Sequence, residues 1–461
     1  MKYEEIFARS FSRHDQKRFK LGASLACFVV LWFMCTVFKP YLRILPVSNL
    51  RLIKTNNSNR HKYKTSNETQ TLHLLPPKLS KNREAERTTL ICNTSKSRCD
   101  VCEMKGDIRI QGNSSTIFVF SSLTGNSSMT IKPYARKSDK SAMESITTFT
   151  IKSIQEEGET MLKCTKIHNV PAIVFSVGGY ARNNFHAFSD VIIPLYATSR
   201  DFNREVKFLV TNHRSGWTSK FQELLQELSR YEIIDIDHEN EVNCFPSVVV
   251  GLEKEDRKEL DIKSMKDFTL FLRSSYSLER FTAINLTNSL TKKPRLLIVS
   301  RQKTRAFMNI KELVHAAQEF GFEVTVTEMN ANLTHVSRLV NSCDVMMGVH
   351  GAGLTNMVFL PENGVLIQVV PWGKMDWLAN TYFGDPSKVM GLKYLEYKIS
   401  QGESTLVDQY PLNHQVLVDP FSIQRKGWGA YKSIYLDKQN VMLNITRFKE
   451  TLSRSLELLH S

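Results

Sequence analysis

The chain has 461 residues, of which 42% are hydrophobic, so it can form the cores of two or three ordinary domains. Its formal net charge is +15, a value that many nucleic-acid-binding proteins share. The excess is +3 in residues 1–20, +8 in residues 39–90 and only +4 in residues 91–461. A globular region so close to neutral does not predict a nucleic-acid-binding face.

The first feature along the chain is an uncharged segment of eighteen residues, Leu21–Phe38, just long enough to cross a bilayer as a helix. Six basic residues precede it and no small-residue cleavage site follows it, which favours a signal-anchor over a cleaved signal peptide. The basic flank predicts a cytosolic tail at residues 1–20 and a luminal body, hence a single-pass type II protein. The short span favours a thin, early-secretory membrane. Residues 39–90 are polar, basic and poor in aromatic side chains, which predicts a disordered luminal stalk.

Sequons for N-linked glycosylation support a luminal body. Five of the eight fall within residues 56–126, which indicates glycosylation around the stalk. The acceptor asparagines are Asn56, Asn67, Asn93, Asn113, Asn126, Asn285, Asn332 and Asn444.

The cysteines that follow the span are even in number, which allows complete pairing in any of fifteen connectivities. They are Cys92, Cys99, Cys102, Cys164, Cys244 and Cys343. Cys99 and Cys102 form a single C-x-x-C pair with neither a second such pair nor a spaced histidine pair. A structural disulfide is therefore favoured there over zinc or redox chemistry.

Two units of alternating strands and helices follow, the first at residues 91–290 and the second at residues 291–438. In the first, strands are predicted at 171–177, 205–210, 231–236 and 243–251, with helices at 183–199 and 220–229. In the second, strands are predicted at 295–299, 323–327 and 364–370, with helices at 309–320 and 333–342. This alternation predicts parallel sheets with crossover helices, and two such units place a ligand cleft between them.

Further patterns mark the ends of helices in the second unit. Asn309 and Glu312 have the spacing of a capping box, and Gly321 ends the helix that they begin. A C-terminal helix is predicted within residues 439–461. This helix can pack back across the first unit, but its apolar spacing alone does not establish that arrangement.

The segment Val345–Pro371 predicts a strand, a glycine-rich turn, a short helix and another strand. Gly348, Gly351 and Gly353 let the backbone turn sharply and approach a ligand closely. Close packing of the helix on the strand explains such glycines equally well. The turn becomes more informative because a basic loop follows the strand upstream of it.

Residues of these two loops suit a diphosphate. Ser300, Arg301 and Arg305 follow the strand at 295–299, at the strand end where open α/β sheets bind ligands. A helix over residues 354–360 would leave its first N–H groups unpaired. The start formed by Ala352, Gly353 and Leu354 therefore suits a phosphate. His350 is placed to donate to a diphosphate oxygen or a sugar hydroxyl.

A histidine and a carboxylate four residues apart lie at the predicted helix start of the first unit. His186 and Asp190 share one helical face, and a carboxylate in that position orients an imidazole as a general base. A solvated helix start explains the pair as well. Asp235 and Asp237 have a D-x-D pattern, but they lie in the first unit, away from the diphosphate loops. No metal is therefore expected at the site, where arginines and the helix start would stabilise a leaving diphosphate.

Three segments in this order resemble the plant branch of family-61 glycosyltransferases. They are GGYARNNFHAFSDVIIPLY, PRLLIVSRQKTRAFMNIKELV and CDVMMGVHGAGLTNMVFLPENGVLIQVVP. The resemblance implies a GT-B fold of two Rossmann-like halves with a cleft between them, preceded by a Golgi type II anchor and a stalk. It implies transfer from a UDP-sugar with inversion, using acceptor-side residues His186 and Asp190. The donor-side residues it implies are Ser300, Arg301, Arg305, His350, Gly351 and Gly353.

The plant branch of the family is known for adding arabinofuranosyl or xylosyl side groups to xylan in cell-wall biosynthesis. The leading hypothesis is therefore a membrane-anchored Golgi pentosyltransferase with a UDP-sugar donor and a xylan acceptor. The alternatives are an N-glycan or protein O-linked glycosyltransferase of the same family, or a non-catalytic, membrane-anchored glycan-binding protein. Neither a permanently bound cofactor nor nucleic acid is expected as a partner.

Overall fold

The computed structural model describes residues 88–120, 127–154, 162–254, 262–287, 292–329 and 332–460. These residues belong to one compact unit that contains both predicted halves. The predicted tail and membrane span, nearly all of the stalk, and the sequons at Asn56, Asn67 and Asn126 lie outside the described residues. Within the described ranges, no helix is both long enough and apolar enough to cross a bilayer.

The strands of the described residues form two sheets, one in each half. The first-half strands are β1 (Thr89–Asn93), β2 (Val101–Gln111), β3 (Thr116–Phe120), β4 (Ser127–Ile131), β5 (Phe149–Ile154), β6 (Lys166–Ile167), β7 (Ala172–Ser176), β8 (Lys207–Thr211), β9 (Ile234–Asp235) and β10 (Val242–Val250). The second-half strands are β11 (Arg295–Ser300), β12 (Glu323–Glu328), β13 (Val345–Val349), β14 (Val365–Val370) and β15 (Lys393–Lys398).

Helices and single helical turns connect these strands. The α-helical segments are Lys140–Glu144, Asn184–His186, Ile193–Ser199, Ser215–Lys220, Gln222–Leu228, Ile262–Ser275, Ile310–Glu319, Leu333–Asn341, Asp376–Ala379, Asp385–Val389, Gln415–Val418, Pro420–Arg425, Trp428–Tyr435 and Ile445–His460. The 3-10 segments are Gly112–Ser114, Arg200–Phe202, Ile236–His238, Ala352–Phe359, Gln401–Glu403 and Thr405–Asp408. Two π-helical segments span Ala187–Ile192 and Asn380–Gly384.

The first sheet is mixed, so the predicted parallel sheet accounts for only part of it. The order β10-β7-β8-β9 is parallel, as predicted. On the other side of β10, strand β2 pairs antiparallel and continues into β3, β5 and β4. Strand β1 begins at Thr89, within the last residues of the predicted stalk. Strands β1–β5 were not predicted. In β2, charged residues are interspersed with apolar ones, the pattern of a half-exposed strand rather than a buried one.

The second sheet is parallel throughout, with the order β12-β11-β13-β14-β15. Strands β13 and β14 are buried along their whole length, as their uninterrupted apolar sequences predict. The chain runs from β11 outward to β12 and then returns to the other side of β11 as β13. The loops that follow β11 and β13 therefore diverge, and such a point in an open α/β sheet forms a crevice for a ligand.

An apolar cluster joins the two halves beneath this crevice. The Phe188 ring of the first half lies 6.1 Å from the Phe359 ring of the second, and both are buried. Leu354 and Leu225 belong to the same cluster. This continuous core fixes the helix that carries His186 against the segment that follows β13.

The C-terminal helix Ile445–His460 packs on the second half, not back across the first. Its buried residues Phe448 and Leu452 join the cluster around β11, β13 and β14. The Phe448 ring lies 5.2 Å from that of Tyr397 on β15. The apolar spacing predicted the buried face of the helix but carried no information on which sheet would cover it.

Two disulfides form among the described cysteines, Cys92–Cys102 and Cys164–Cys244. The structural disulfide favoured at Cys99 and Cys102 forms at Cys102 but not at Cys99, because Cys102 faces Cys92 directly across the antiparallel pair β1–β2. Cys99 is a buried free thiol directed at the carbonyl oxygen of Lys254. Cys343 is also free and buried, so the predicted complete pairing does not form.

The capping box predicted at Asn309 and Glu312 was also wrong. Asn309 precedes the helix Ile310–Glu319, but its side chain does not cap the helix. Its amide nitrogen donates to Glu312 and to the carbonyl oxygen of Leu443, and its amide oxygen accepts from the Leu443 N–H. A tertiary contact with the C-terminal segment has replaced the local one. Gly321, with φ +89°, follows the helix end as predicted.

Candidate functional site

A cavity of about 250 Å³ lies between the halves, at the carboxyl ends of β11 and β13. Its lining residues are Asn184 and Lys220 from the first half, and Val299, Ser300, Arg301, Gln302, Lys303, Thr304, Glu328, Met329, Leu333, Ala352, Gly353 and Asn356 from the second. Three of the four charged side chains in this lining are cationic, which favours an anionic ligand. Pockets that enclose a drug-sized ligand typically measure about 300–1,000 Å³, so this cavity fits a diphosphate but not a complete nucleotide sugar.

Four of the predicted donor-side residues line this cavity, namely Ser300, Arg301, Ala352 and Gly353. Arg301 follows β11, and its Nε donates to the carbonyl oxygen of Thr304 at 2.8 Å. This bond holds the loop after β11 in a tight turn. Burial lowers the pKa of Arg301, an effect that Glu328 partly offsets.

Arg305 lies directly behind the residues that line the cavity. Its backbone is left-handed, with φ +54°, and its Nη1 donates to the carbonyl oxygen of His350 at 2.7 Å. Burial and the neighbouring Arg301 lower the pKa of Arg305 to about 10, so it remains charged at neutral pH. Its Nε is buried and lacks a hydrogen-bond partner among the described residues. Two adjacent guanidinium groups repel each other, and an anion beside them would relieve that repulsion.

Gly351 is required by the two arginines. Its φ is +149°, and a Cβ at this position would lie 2.7 Å from Arg305 Nη1 and 3.1 Å from Arg301 Nη1. Gly348 and Gly353 have a different cause, since a Cβ at either would meet Val299 at 3.1 Å. Close packing on the strand therefore accounts for Gly348 and Gly353, while a close approach of the backbone to a ligand at Gly351 stays a prediction.

The segment after the turn is a 3-10 helix, Ala352–Phe359, rather than the predicted helix over 354–360. The Leu354 N–H already donates to Gly351 O at 3.0 Å, and its side chain is fully buried. Leu354 is thus removed from the candidate site, because neither its N–H nor its side chain can reach a ligand. The start of the helix at Ala352 and Gly353 faces the cavity.

His350 is buried behind the turn and does not line the cavity. Its Nδ1 lies 2.6 Å from Gln368 Nε2, and Gln368 Oε1 accepts from the Tyr394 hydroxyl at 2.7 Å. Burial, Arg305 and Arg301 lower the pKa of His350 to about 3, so its imidazole is neutral. With Nδ1 accepting from Gln368, the ring hydrogen lies on Nε2. A direct contact of His350 with a donor stays a prediction.

His186 and Asp190 form the expected pair, with His186 Nδ1 at 2.8 Å from Asp190 Oδ2. The carboxylate is fully buried, and Lys254 donates to its other oxygen at 2.8 Å. Arg136 and Arg98 lie within 3.5 and 3.8 Å of it. Burial alone would raise the pKa of Asp190, but Lys254, the His186 hydrogen bond and Arg136 hold it well below its usual range. An ionised carboxylate therefore orients His186 through Nδ1 of its ring.

The helix start that bears His186 reaches the second half. Its segment Asn184–His186 contacts the 3-10 helix after β13, and Asn184 lines the cavity. The ring of Phe185 lies 5.0 Å from Tyr382 and 6.0 Å from Phe383. His186 and Asp190 do not line the cavity themselves, but they lie on the helix that meets its wall.

Sequence comparisons with known proteins point to one family. A family model described as Glycosyltransferase 61 matches residues 166–367, which contain both parts of the candidate site. A beta-1,2-xylosyltransferase of Oryza sativa subsp. japonica is 40% identical over 394 residues, covering 80% of this chain and 84% of the relative. A xylan glycosyltransferase of Arabidopsis thaliana is 36% identical over 444 residues, 91% of this chain and 88% of the relative. The chain belongs to glycosyltransferase family 61.

Another relative differs in length. An alpha-1,3-arabinosyltransferase of Oryza sativa subsp. japonica is 44% identical to this family-61 chain over 380 residues, 80% of the chain. The alignment spans 64% of that relative, slightly less than two thirds of its length.

Some charged and polar residues of this family-61 site gave no local signal in the sequence. Lys220 lies in a helix that predicted only an amphipathic surface, and Arg136 and Lys254 are remote in sequence from the carboxylate that they meet. Gln368 was detectable, because it is the one polar residue in the buried strand β14. Buried polar groups require hydrogen-bond partners.

The D-x-D acids lie at the end of β9, in local interactions. Asp237 accepts from the Thr211 hydroxyl and the Asn212 N–H, both at 2.6 Å. Asp235 lies 3.1 Å from His213 and 3.0 Å from His238.

Proposed function

We propose that this chain is an inverting glycosyltransferase that transfers a pentose from a UDP-sugar to the xylan backbone as a side group. The pentose is arabinofuranose or xylose. The observation that carries the proposal is the cationic cavity at the carboxyl ends of β11 and β13, where the loops of the second sheet diverge. Arg301 and a helix start lie in its lining. The names of the family-61 relatives, an arabinosyltransferase, a xylosyltransferase and a xylan glycosyltransferase, support the choice of pentose and acceptor.

A GT-B arrangement is part of the proposal. It is supported by two sheets in one compact unit and by a cavity lined from both halves. In this arrangement the second half binds the nucleotide and the first presents the acceptor. Strands β1–β5 extend the first half beyond a Rossmann-like core.

The donor-side chemistry follows from the cavity. As the bond between the anomeric carbon and the diphosphate breaks, its electron pair passes to the diphosphate oxygen. Arg301 and the N–H groups at the start of the Ala352–Phe359 helix are fixed in place to bind that charge, and each such donor contributes about 3 kcal/mol. Fixed cations stabilise the leaving group in this scheme, and activity that persists in excess EDTA would support it over a metal.

On the acceptor side, His186 acts as the general base. Its Nδ1–H is held by Asp190, so its Nε2 accepts the proton of the acceptor hydroxyl. The acceptor oxygen then attacks the anomeric carbon on the face opposite the diphosphate, and the configuration inverts. Because Asp190 stays ionised, it stabilises the imidazolium that forms.

The purified full chain, incubated with xylo-oligosaccharide and labelled UDP-arabinofuranose or UDP-xylose, tests the proposal. Transfer of label from one of these donors is expected. Turnover on glycopeptides instead would support an N-glycan or protein O-linked activity. The absence of both transfer and detectable UDP binding would support a non-catalytic glycan-binding protein.

Two variants separate the roles of the halves. Arg301→Ala should abolish measurable turnover and weaken UDP binding about tenfold or more, the effect of a lost charge-assisted hydrogen bond. His186→Ala should abolish turnover but leave UDP affinity unchanged. Arg295→Ala, an exposed arginine at the opposite end of β11, is the control and should change neither. Full turnover by His186→Ala would refute the assignment of the base.

The proposal includes a single-pass type II anchor in the Golgi membrane, with the catalytic unit in the lumen. The uncharged segment Leu21–Phe38 and the sequons support it. Among the described sequons, the side chains of Asn93, Asn113, Asn332 and Asn444 are exposed. Co-localisation with Golgi markers and a loss of mass on removal of N-glycans test this. An unglycosylated cytosolic chain would contradict it.

A further inference from the structure

Lys220 is a cation of the first half that faces the cavity without an acidic partner. It ends the helix Ser215–Lys220 and lines the cavity together with Arg301 and Gly353 of the second half. Its Nζ donates to Oδ1 of Asn184 at 2.7 Å, and no carboxylate of the described residues lies within 4.0 Å of it. Burial lowers the pKa of Lys220. The chain thus places a partly desolvated ammonium at the cavity wall with one neutral acceptor.

Two other partly buried cations of the first half are compensated by carboxylates. Lys254 lies 2.8 Å from Asp190, and Arg136 lies 2.9 Å from Asp139. A desolvated charge is costly unless it is paired and hydrogen-bonded. An ammonium has more N–H donors than the one that Asn184 accepts, so Lys220 retains donors for a ligand.

We propose that Lys220 binds the diphosphate of the nucleotide-sugar donor from the first half, opposite Arg301 of the second. This inference rests on the proposed function, since it assumes a UDP-sugar donor. With Lys303, these side chains give three cations against the single carboxylate of Glu328 in the lining. Each phosphate of the donor carries a negative charge, and the diphosphate gains another as it leaves. A donor bound in this way contacts both halves.

A purely structural role would use Lys220 to hold Asn184, and through it the segment Asn184–His186. The two roles differ in the ligands that they affect. Loss of a structural tie would weaken binding of the uncharged nucleoside and of the nucleotide alike. Loss of a phosphate contact would weaken binding of the nucleotide alone.

The experiment measures the affinities of uridine and UDP for the full chain by ligand-observed NMR, with the wild type and Lys220→Met. We expect the affinity for UDP to fall about tenfold while that for uridine stays within about twofold. Lys220→Gln keeps a donor for Asn184 but lacks the charge, and it should lose as much UDP affinity as Lys220→Met. Lys220→Arg should recover most of the loss.

Lys311→Met is the matched control, because it removes an exposed lysine that does not line the cavity. It should leave both affinities unchanged, which separates a contact from the overall charge of the protein. Equal weakening of uridine and UDP in Lys220→Met, or unchanged binding of both, would overturn the role of Lys220 alone. A wild type that binds no UDP would overturn the proposed donor and this inference together.

Discussion

The two charged regions of the molecule are built in opposite ways. The cavity draws most of its polar lining from two short segments, the loop after β11 and the turn after β13, and its cations outnumber its acids. The pair of His186 and Asp190 depends instead on side chains remote in sequence. Arg98, Arg136 and Lys254 all approach one carboxylate.

This difference distinguishes a ligand-binding site from a cluster whose charges hold a catalytic side chain in place. Around Asp190, each of the three cations lies beside a carboxylate of the chain itself, and Asp190 is fully buried. At the cavity, Lys220 and Arg301 have neutral hydrogen-bond acceptors but no carboxylate within 4.0 Å among the described residues. Charge left without a partner at a cavity is charge that a ligand can neutralise.

Removal of the buried carboxylate should have the largest effect. Asp190→Asn keeps the shape of the side chain but leaves Lys254 without its carboxylate, so we expect the free energy of unfolding to fall by about 3–5 kcal/mol. His186 also loses the negative charge that orients its ring and stabilises the imidazolium, so turnover should fall. Urea denaturation measures the first effect, and transfer from the UDP-sugar measures the second.

An exposed ion pair provides the control. Asp267→Asn makes the same chemical change at a side chain that is 40% exposed and 3.9 Å from Arg200, where we expect less than about 0.5 kcal/mol. Similar losses in the two variants would contradict the view that the Asp190 cluster is a structural support.

The effect of Asp190→Asn should also depend on pH. Lys254 and the hydrogen bond from His186 overcome the effect of burial and lower the pKa of Asp190 below that of an unfolded carboxyl, about 3.9. The stabilisation is therefore complete above that pH and is lost as the pH falls through the folded pKa. The difference in stability between wild type and variant should stay constant from about pH 7 to 5 and shrink in stronger acid. A constant difference down to full acid unfolding would refute the linkage.

A methyl group at the glycine turn should disturb the other region without affecting this cluster. In Gly351→Ala the new Cβ would displace the guanidinium groups of Arg305 and Arg301, and the residue would be strained by about 1–3 kcal/mol at its positive φ. We expect UDP affinity to fall about tenfold or more, since two aligned cations are moved. Calorimetric titration with UDP measures the loss.

Gly429→Ala is the matched control, because this exposed helical glycine has no atom near its missing Cβ. It should leave UDP affinity unchanged and stabilise the chain by about 0.5–1 kcal/mol. An unaltered UDP affinity in Gly351→Ala would show that the two arginines do not bind the diphosphate, and the contrast between the regions would lose its basis.

The contrast also explains which parts of the structure could be predicted. Strands β11, β12 and β14 lie within two residues of their predicted ends. Continuous apolar runs between turn residues specify the buried strands β11 and β14, whereas β12 is a largely exposed edge strand in which valines alternate with polar residues. Arg301 and Gly351 were predictable because strand-end loops of an open α/β sheet meet at one crevice. Lys220 and Arg136 could not be found in this way, since only tertiary packing brings them to the site.

Substitution of Gln368 tests whether hydrogen bonds hold the His350 ring in place behind the cavity. It is fully buried on β14 and links the Tyr394 hydroxyl to Nδ1 of His350, which leaves the ring hydrogen on Nε2. Gln368→Leu preserves the volume but leaves both partners unpaired, so we expect a loss of about 1 kcal/mol in stability and a mixture of imidazole tautomers.

Nitrogen-15 NMR of the histidine ring in the labelled chain separates the tautomers. Tyr394→Phe is the control, because it removes only the outer hydrogen bond and leaves the one to His350 intact. It should therefore preserve the Nε2–H form. If Gln368→Leu also keeps that single form, then packing against Phe383, whose ring lies 5.4 Å away, orients the imidazole instead. Apolar packing would then hold the histidine behind the cavity, and polar contacts would hold only the one in the first half.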